Sequence, residues 1–286
     1  MPLTITISGV KSIEPDKYLN NKDITEVIIE DGVEVIGEKA FYGCSGLTEL
    51  RLPDTLAEIG AYTFYKCSGL TELRLPDTLT KIGDRAFWGC SGLTELRLPN
   101  TLTEIGDGAF CGCSRLTELR LPDTLAKIGG SAFFGCFGIT ELRLSDNLIE
   151  IGCSAFDGCS GLTELRLPET LTEIGTYAFH GCSGLTDITL SNTLNRIGFG
   201  AFRRCSGFTE LRLPDTLTKI GYYSFECLTS LKVIYCSDKV GELLTENVIS
   251  GLKYSVEEMR RNADPKVYLN RFYWNPRNHH TTFRFL

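Results

Sequence analysis

Cysteine has the widest choice of chemistry in this chain, because thiols form disulfides, bind metals and act as nucleophiles. Eight of the 12 cysteines share one 23-residue spacing and form a column: Cys44, Cys67, Cys90, Cys113, Cys136, Cys159, Cys182 and Cys205. Side chains stacked at a fixed repeat point in parallel directions, and the sequence has no CxxC pair and no matching histidine column. We therefore predict reduced, buried, structural thiols. Cys111 and Cys153 lie off the column at variable positions, which predicts surface exposure.

Carboxylates could do acid–base chemistry, and they too form a column with a basic partner two residues later. The pairs are Glu49 and Arg51, Glu72 and Arg74, Glu95 and Arg97, Glu118 and Arg120, Glu141 and Arg143, and Glu164 and Arg166. General acid–base catalysis needs a few groups in unlike environments, whereas these pairs repeat identically. We predict a grid of salt bridges on a solvated face and no catalytic residue.

A second acidic column lies at predicted turns: Asp54, Asp77, Asp123, Asp146, Glu169 and Asp215. Stacked oxygen ligands suggest calcium, but the glycine and aspartate spacing of calcium-binding repeats is missing, and turn formation explains these residues. The sequence also contains no phosphate-binding loop, dinucleotide fingerprint, nucleophile elbow or metal motif. We therefore expect no metal, no cofactor, no small-molecule substrate and no enzymatic activity.

The element that positions these columns is a repeat without insertions or deletions. A phenylalanine recurs every 23 residues, at Phe41, Phe64, Phe87, Phe110, Phe133, Phe156, Phe179, Phe202 and Phe225, each four residues after a glycine. A unit of this length cannot bury its own apolar face, so its leucines are covered only by the neighbouring units. The chain is therefore predicted to fold as one solenoid.

Residues 47–69, LTELRLPDTLAEIGAYTFYKCSG, represent the unit. Leu50 and Leu52 share one face of a short strand, which Pro53 ends. A second extended segment carries Ile59 inward, and Gly60 is expected to permit a backbone bend. The residue before each inward isoleucine runs Glu58, Lys81, Glu104, Lys127, Glu150, Glu173, Arg196 and Lys219. These charges mostly alternate, as stacked strands about 4.8 Å apart would favour.

The pattern LxxLxLPxxLxxIGxxAFxxC, as it stands in LTELRLPDTLTEIGDGAFCGC at residues 93–113, resembles the BspA-type leucine-rich repeat, also called the Treponema pallidum type. The match covers about 80 per cent of the chain. The resemblance implies a curved, right-handed solenoid with short parallel β-strands on its concave side and short extended or irregular segments on its convex side. It also implies roles in adhesion and protein binding, often at cell surfaces, and no catalysis.

Four segments are expected. Residues 1–23 keep the isoleucine and phenylalanine phase at Ile13 and Tyr18 and form a degenerate N-terminal cap. Residues 24–230 hold nine tandem repeats, and residues 231–253 form a degenerate repeat with a helical cap over SDKVGELLTENVISGL. Residues 254–286 form a basic, aromatic tail. That tail is either a cap that packs on the solenoid or a separate binding segment.

Two surfaces are candidates for partner binding. One is the Glu/Arg face described above. The other is an aromatic stripe at the residue after the repeated phenylalanine: Tyr42, Tyr65, Trp88 and Phe134. Aromatic anchors enrich binding hot spots, although partial burial between coils would account for the stripe equally well.

The predicted function is a non-enzymatic scaffold for a protein partner whose identity the sequence does not give. The alternative is a cell-surface adhesin for a host or extracellular protein. A net charge of −7 disfavours nucleic acid as the partner. The sequence shows no signal peptide and no membrane span, which favours a cytoplasmic location, with the cell surface as the alternative. A monomer is the expected state.

Overall fold

The computed structural model describes residues 2–245, 247–249 and 281–284. Each coil contributes two short strands, and nearly all of them pair in parallel with a strand of a neighbouring coil. The predicted solenoid is therefore confirmed. It opens with β1 (Leu3–Ile7), β2 (Ser12–Ile13), β3 (Ile24–Ile29) and β4 (Val35–Ile36).

The regular coils then alternate a three-residue strand with a two-residue strand. The three-residue strands are β5 (Glu49–Arg51), β7 (Glu72–Arg74), β9 (Glu95–Arg97), β11 (Glu118–Arg120), β13 (Glu141–Arg143), β15 (Glu164–Arg166), β17 (Asp187–Thr189) and β19 (Glu210–Arg212). The two-residue strands are β6 (Glu58–Ile59), β8 (Lys81–Ile82), β10 (Glu104–Ile105), β12 (Lys127–Ile128), β14 (Glu150–Ile151), β16 (Glu173–Ile174), β18 (Arg196–Ile197) and β20 (Lys219–Ile220).

The two-residue strands form the longer sheet, which has ten strands in the order β2-β4-β6-β8-β10-β12-β14-β16-β18-β20. Each inward isoleucine lies opposite the next one, as Ile59 does with Ile82. The preceding charges are therefore in register as the sequence predicted. Ion pairs join Lys81 to Glu58 at 3.9 Å and Lys127 to Glu150 at 2.9 Å.

The three-residue strands belong to separate small sheets, three of which join just two coils. Their sheets are β1-β3-β5, β7-β9, β11-β13 and β15-β17, and a further one begins with β19. Where two coils pair, the hydroxyl of a threonine also donates to the threonine carbonyl below it, as Thr48 does to Thr25 at 3.0 Å and Thr94 does to Thr71 at 3.1 Å. This side of the solenoid is thus a row of small sheets.

The core is a column of stacked rings. Tyr18 and the nine repeated phenylalanines lie one above another, with neighbouring ring centroids 5.0–6.0 Å apart and interplanar angles of 2–13°. All nine phenylalanines are fully buried. Burial of one such side chain contributes roughly 1.5–3 kcal/mol, but only because the neighbouring coils cover it.

Side-chain donors tie each coil to the backbone of the coil before it. The thiol of every column cysteine donates to the carbonyl of the ring residue one coil back, at 3.1–3.5 Å. Threonine hydroxyls of the turns donate to the carbonyl of a valine or leucine one coil back, at 2.7–3.1 Å, and these threonines are Thr55, Thr78, Thr101, Thr124, Thr170, Thr193 and Thr216. Neither set of hydrogen bonds was predicted from the sequence.

The glycine four residues before each ring residue is needed for close packing of coils and not for the backbone bend that was predicted. Gly60 does not need a left-handed backbone. A Cβ there would lie 2.9 Å from the amide nitrogen of Glu38 and 2.9 Å from the carbonyl oxygen of Ile36. Because those atoms belong to the backbone of the preceding coil, a side chain at this position would push two coils apart.

The C-terminal end differs from the helical cap that was predicted. The last coil strand is β21 (Val233–Cys236), and the helix α1 (Asp238–Gly241) has only four residues. Within the described residues a helix over SDKVGELLTENVISGL is not confirmed; Val240, Leu244, Val248 and Ile249 are nevertheless buried. The strand β22 (Thr281–Arg284) pairs antiparallel with β21. The rest of the tail lies outside the described residues.

Candidate functional site

The Glu/Arg face is made of the outward side chains of the three-residue strands. All twelve predicted glutamates and arginines, from Glu49 to Arg166, are exposed, while the leucine between each pair is buried or half-buried. The alternation follows from the pleat, which sends successive side chains to opposite sides. Parallel register places Glu72 on Glu95 and Arg74 on Arg97. The face therefore carries one acidic row and one basic row.

Ion pairs on this face join residues of the same strand. Arg74 Nε lies 2.5 Å from Glu72 Oε1, and Arg120 pairs with Glu118 in the same way. Among the described residues, the one pair on this face that bridges two coils is Arg51 with Glu26, at 3.6 Å. The predicted salt bridges therefore form mainly within single strands and do not join into a grid, because like charges stack from coil to coil.

A shallow groove crosses the Glu/Arg face over β11, β13 and β15. Its volume is about 470 Å³, and its walls include Glu118, Arg143 and Arg166. Side chains of both signs line it, so the groove suits a polar segment better than an apolar one.

The aromatic stripe begins as a ladder of stacked rings. Tyr42 and Tyr65 stack with centroids 4.7 Å apart, and Tyr65 and Trp88 follow at 6.2 Å. All three side chains are half-buried. The Trp88 ring lies against Gly108, where a Cβ would come within 2.9 Å of the indole carbons. The ladder is therefore partly a packing feature and partly an exposed surface.

Cations surround this ladder. Lys66 Nζ lies 5.4 Å from the Tyr65 centroid, and the Arg85 guanidinium lies 5.7 Å from that of Trp88. Such contacts contribute about 0.5–1 kcal/mol at exposed sites.

Phe134 does not join the ladder. The next residue in the column after Trp88 is Cys111, which is 3% exposed, so the ring stack stops there. Phe134 is 43% exposed and lies one coil further on, near the still more exposed Phe137 at 57%. Sequence reasoning missed Phe137, although the change from CSG to CFG at 136–138 could have signalled it. The predicted stripe is therefore two separate patches.

The cysteines divide as predicted except at one position. The column thiols are free and buried. Burial raises the pKa of the Cys90 thiol to about 12 and that of Cys44 to about 11. Cys153 is exposed as expected. The exposure predicted for Cys111 is wrong, and burial raises its pKa to about 11.

Two half-buried polar pairs occupy the C-terminal part of the stripe column. His180 Nδ1 lies 2.8 Å from Asp157 Oδ1, and Arg203 Nε contacts Glu226 Oε2. Burial raises the pKa of Asp157, while the hydrogen bond from His180 opposes that shift. The sequence analysis did not identify these pairs, since pairing depends on residues 23 apart meeting between coils.

Within residues 2–245, 247–249 and 281–284, no group of three or more histidine, cysteine or acidic side chains is arranged to hold a metal ion. In that same part of the chain no helix has the length and apolar character needed to cross a membrane.

Stacked 23-residue coils with an inward leucine, isoleucine, phenylalanine and cysteine in each define a leucine-rich-repeat solenoid. The family model for the BspA type leucine rich repeat region matches residues 11–140 and 127–250. The chain belongs to this family. No curated protein matches the sequence.

Several solved structures of bacterial proteins are similar to this chain, and the first two below share its fold. A leucine-rich repeat protein from Bacteroides ovatus is 26% identical with a TM-score of 0.56, over 88% of this chain and 82% of that one. The pneumococcal vaccine antigen PcpA is 24% identical with a TM-score of 0.52, over 81% of this chain and 60% of that one. The T. pallidum leucine rich repeat protein is 22% identical with a TM-score of 0.40, over 72% of this chain and 77% of that one.

Proposed function

We propose that this protein is a non-enzymatic scaffold that binds a protein partner through its Glu/Arg face. One observation carries the proposal: an acidic row and a basic row run side by side, exposed to solvent, along at least six coils. A folding role for the charges explains their presence poorly, because exposed pairs of this kind contribute about 0–1 kcal/mol each.

The geometry favours an extended polar segment as the contact. Like charges stacked about 4.8 Å apart repel one another weakly, and a partner that places a cation beside the acidic row and an anion beside the basic row would relieve that repulsion. The groove over β11, β13 and β15 gives such a segment a place to lie. Binding of this kind depends on ionic strength.

The aromatic stripe is the second contact surface in this proposal. Tyr42, Tyr65 and Trp88 present rigid, half-exposed rings with cations alongside, a composition typical of binding hot spots. Phe134 and Phe137 are exposed apolar side chains outside this ring stack.

A cross-linked pull-down from the source cells tests the proposal. The native chain is compared with a triple variant, Arg97→Glu, Arg120→Glu and Arg143→Glu. We expect the variant to lose the partner, while a matched variant with lysine at the same three positions keeps it. A third bait with Tyr42, Tyr65, Trp88 and Phe134 changed to serine tests the stripe. Equal capture by the native chain and the glutamate variant would reject the Glu/Arg face.

A cell-surface adhesin would use the same faces for an extracellular protein, so location and not geometry separates the two functions. Labelling of intact cells with a membrane-impermeant amine reagent decides between them. Labelling of this protein would support the adhesin, and protection until lysis would support a partner inside the cell.

A further inference from the structure

A second groove lies on the other side of the molecule, over the last four strands of the ten-stranded sheet. Its volume is about 760 Å³, and it runs along β14, β16, β18 and β20. Ile149 and Tyr222 form its apolar walls and are 50% and 58% exposed, and Phe199, whose ring packs edge-on against Tyr177 and Tyr223, also lines it. These residues differ from coil to coil, so the groove belongs to this part of the chain and not to the repeat as such.

The wall of the groove follows one column of the repeat, the residue after the conserved glycine. In two earlier coils, near the middle of the solenoid, this column contains Asp84 and Asp107. Each aspartate accepts a hydrogen bond from the amide of the equivalent residue one coil later. Asp107 donates to Asp84 Oδ1 at 2.9 Å, and Gly130 donates to Asp107 Oδ1 at 2.6 Å. In the middle of the solenoid, aspartate carboxylates therefore accept hydrogen bonds from the backbone amides of this column.

In the groove the same column reads Cys153, Thr176, Phe199 and Tyr222 and contains no acid. Their four backbone amides find no acceptor among the described residues. An exposed amide can use water, but a row of them spaced one coil apart also offers donors to an incoming carboxylate. The position that Asp84 and Asp107 fill in their own coils is open here.

The charges beside the row favour an anion. Arg196 and Lys219 stand in register on neighbouring strands. The two acids of the groove are each paired: Glu150 with Lys127 at 2.9 Å and Glu173 with Arg196 at 3.4 Å. Lys219 has no carboxylate partner within the described part of the chain. The C-terminal end of the groove thus combines a cation, open amides and aromatic walls.

We propose that this groove binds an extended acidic peptide segment of a partner protein that also carries an apolar side chain. Its carboxylates accept hydrogen bonds from the Thr176 and Phe199 amides, in the place that aspartates take in earlier coils, and pair with Lys219. Its apolar side chain packs against Phe199 and Tyr222. Four coils span about 15 Å between the first and last strand, which a peptide of about five or six residues covers.

The test uses a fluorescent hexapeptide that alternates glutamate with phenylalanine, and a companion with glutamine in place of glutamate. Thr176→Asp gives the groove the aspartate that earlier coils have, so its carboxylate takes the amide of Phe199 and repels the peptide. Ala61→Asp makes the same substitution at the same repeat position outside the groove and is the matched control. Thermal unfolding checks that both variants fold.

We expect the glutamate peptide to bind the full chain with an affinity that falls as salt rises. Thr176→Asp and Lys219→Gln should each weaken binding about tenfold or more, and Ala61→Asp should leave it unchanged. Four results would overturn the proposal. The first two are no binding at about 1 mM peptide, which means a binding free energy weaker than about −4 kcal/mol, and equal affinity for the glutamine peptide. The other two are an equal loss of affinity in Ala61→Asp and an unchanged affinity in Thr176→Asp. Equal binding of the glutamine peptide would identify an apolar ligand instead.

Discussion

Alkaline pH should destabilise this fold through its buried thiols, and Cys90 shows why. The side chain is fully buried, and Sγ donates to the Phe64 carbonyl at 3.3 Å. Burial raises its pKa from 9.0 to about 12. The unfolded thiol therefore loses its proton near pH 9 while the native thiol keeps it. The stability that this thiol contributes is complete below pH 9 and falls as the pH rises towards 12.

The size of the effect follows from proton linkage. Each pH unit between the two pKa values removes about 1.4 kcal/mol from the free energy of unfolding. At pH 10.5 the loss from Cys90 alone is about 2 kcal/mol relative to pH 8. Burial also raises the pKa of other column thiols, namely Cys44, Cys67, Cys113, Cys136 and Cys159. The native protein should accordingly lose stability steeply above pH 9.

Cys90→Ser isolates one thiol, because a hydroxyl keeps the hydrogen bond to Phe64 and does not ionise in this range. Urea unfolding followed by circular dichroism at pH 8 and pH 10.5 gives the stability difference between native protein and variant. That difference should shift by about 2 kcal/mol in favour of the variant at the higher pH. Cys153→Ser is the control, since that thiol is exposed. A Cys90→Ser difference that stays constant with pH would refute the reasoning.

Three further perturbations test other parts of the structure. Phe133→Ala removes a ring that stacks at 5.5 Å on both of its neighbours, so we expect a loss of about 3–5 kcal/mol in urea unfolding; a loss under about 1 kcal/mol would contradict a continuous ring column. Arg204 has a positive φ of 62° at a position where most coils have glycine. Because backbone strain favours glycine there, Arg204→Gly should stabilise the fold by about 0.5–1 kcal/mol, and Gly112→Ala, at φ 74°, should destabilise it by about 1 kcal/mol. If both substitutions changed the free energy of unfolding in the same direction, backbone strain would not be the cause. Thiol titration of the native protein with a disulfide reagent should give one fast thiol, which Cys153→Ser removes, and one slower thiol from the half-buried Cys227; reaction of more than two thiols would contradict the buried column.

The sequence predicted the parts of the fold that depend on strict repetition. The 23-residue recurrence of phenylalanine predicted one solenoid, and in that solenoid the phenylalanines form a continuous ring stack. The alternating charges before the inward isoleucine predicted the register of the ten-stranded sheet, and Glu58 does lie opposite Lys81. Repetition makes these features predictable because one spacing fixes the neighbours of every residue in three dimensions.

Prediction failed where one coil differs from the next. A column reading Tyr42, Tyr65, Trp88, then Cys111 and Phe134 was treated as one stripe, but a single small buried residue ends the stack. The hydrogen bonds from backbone amides to Asp84 and Asp107 were not predicted either. Predicting them requires knowing that the amide of one coil faces the side chain of the preceding coil. The partner surfaces depend on such differences, so the repeat consensus does not reveal them.

Site-specific photo-cross-linking distinguishes the Glu/Arg face from the opposite sheet as the surface that binds the partner. A photoreactive amino acid replaces Glu118 on the Glu/Arg face in one variant and Lys127 on the opposite sheet of the same coil in another. If the Glu/Arg face binds the protein partner, irradiation in the source cells should give a cross-linked product from position 118 and none from position 127. A product from position 127 alone, or equal products from both positions, would contradict the account.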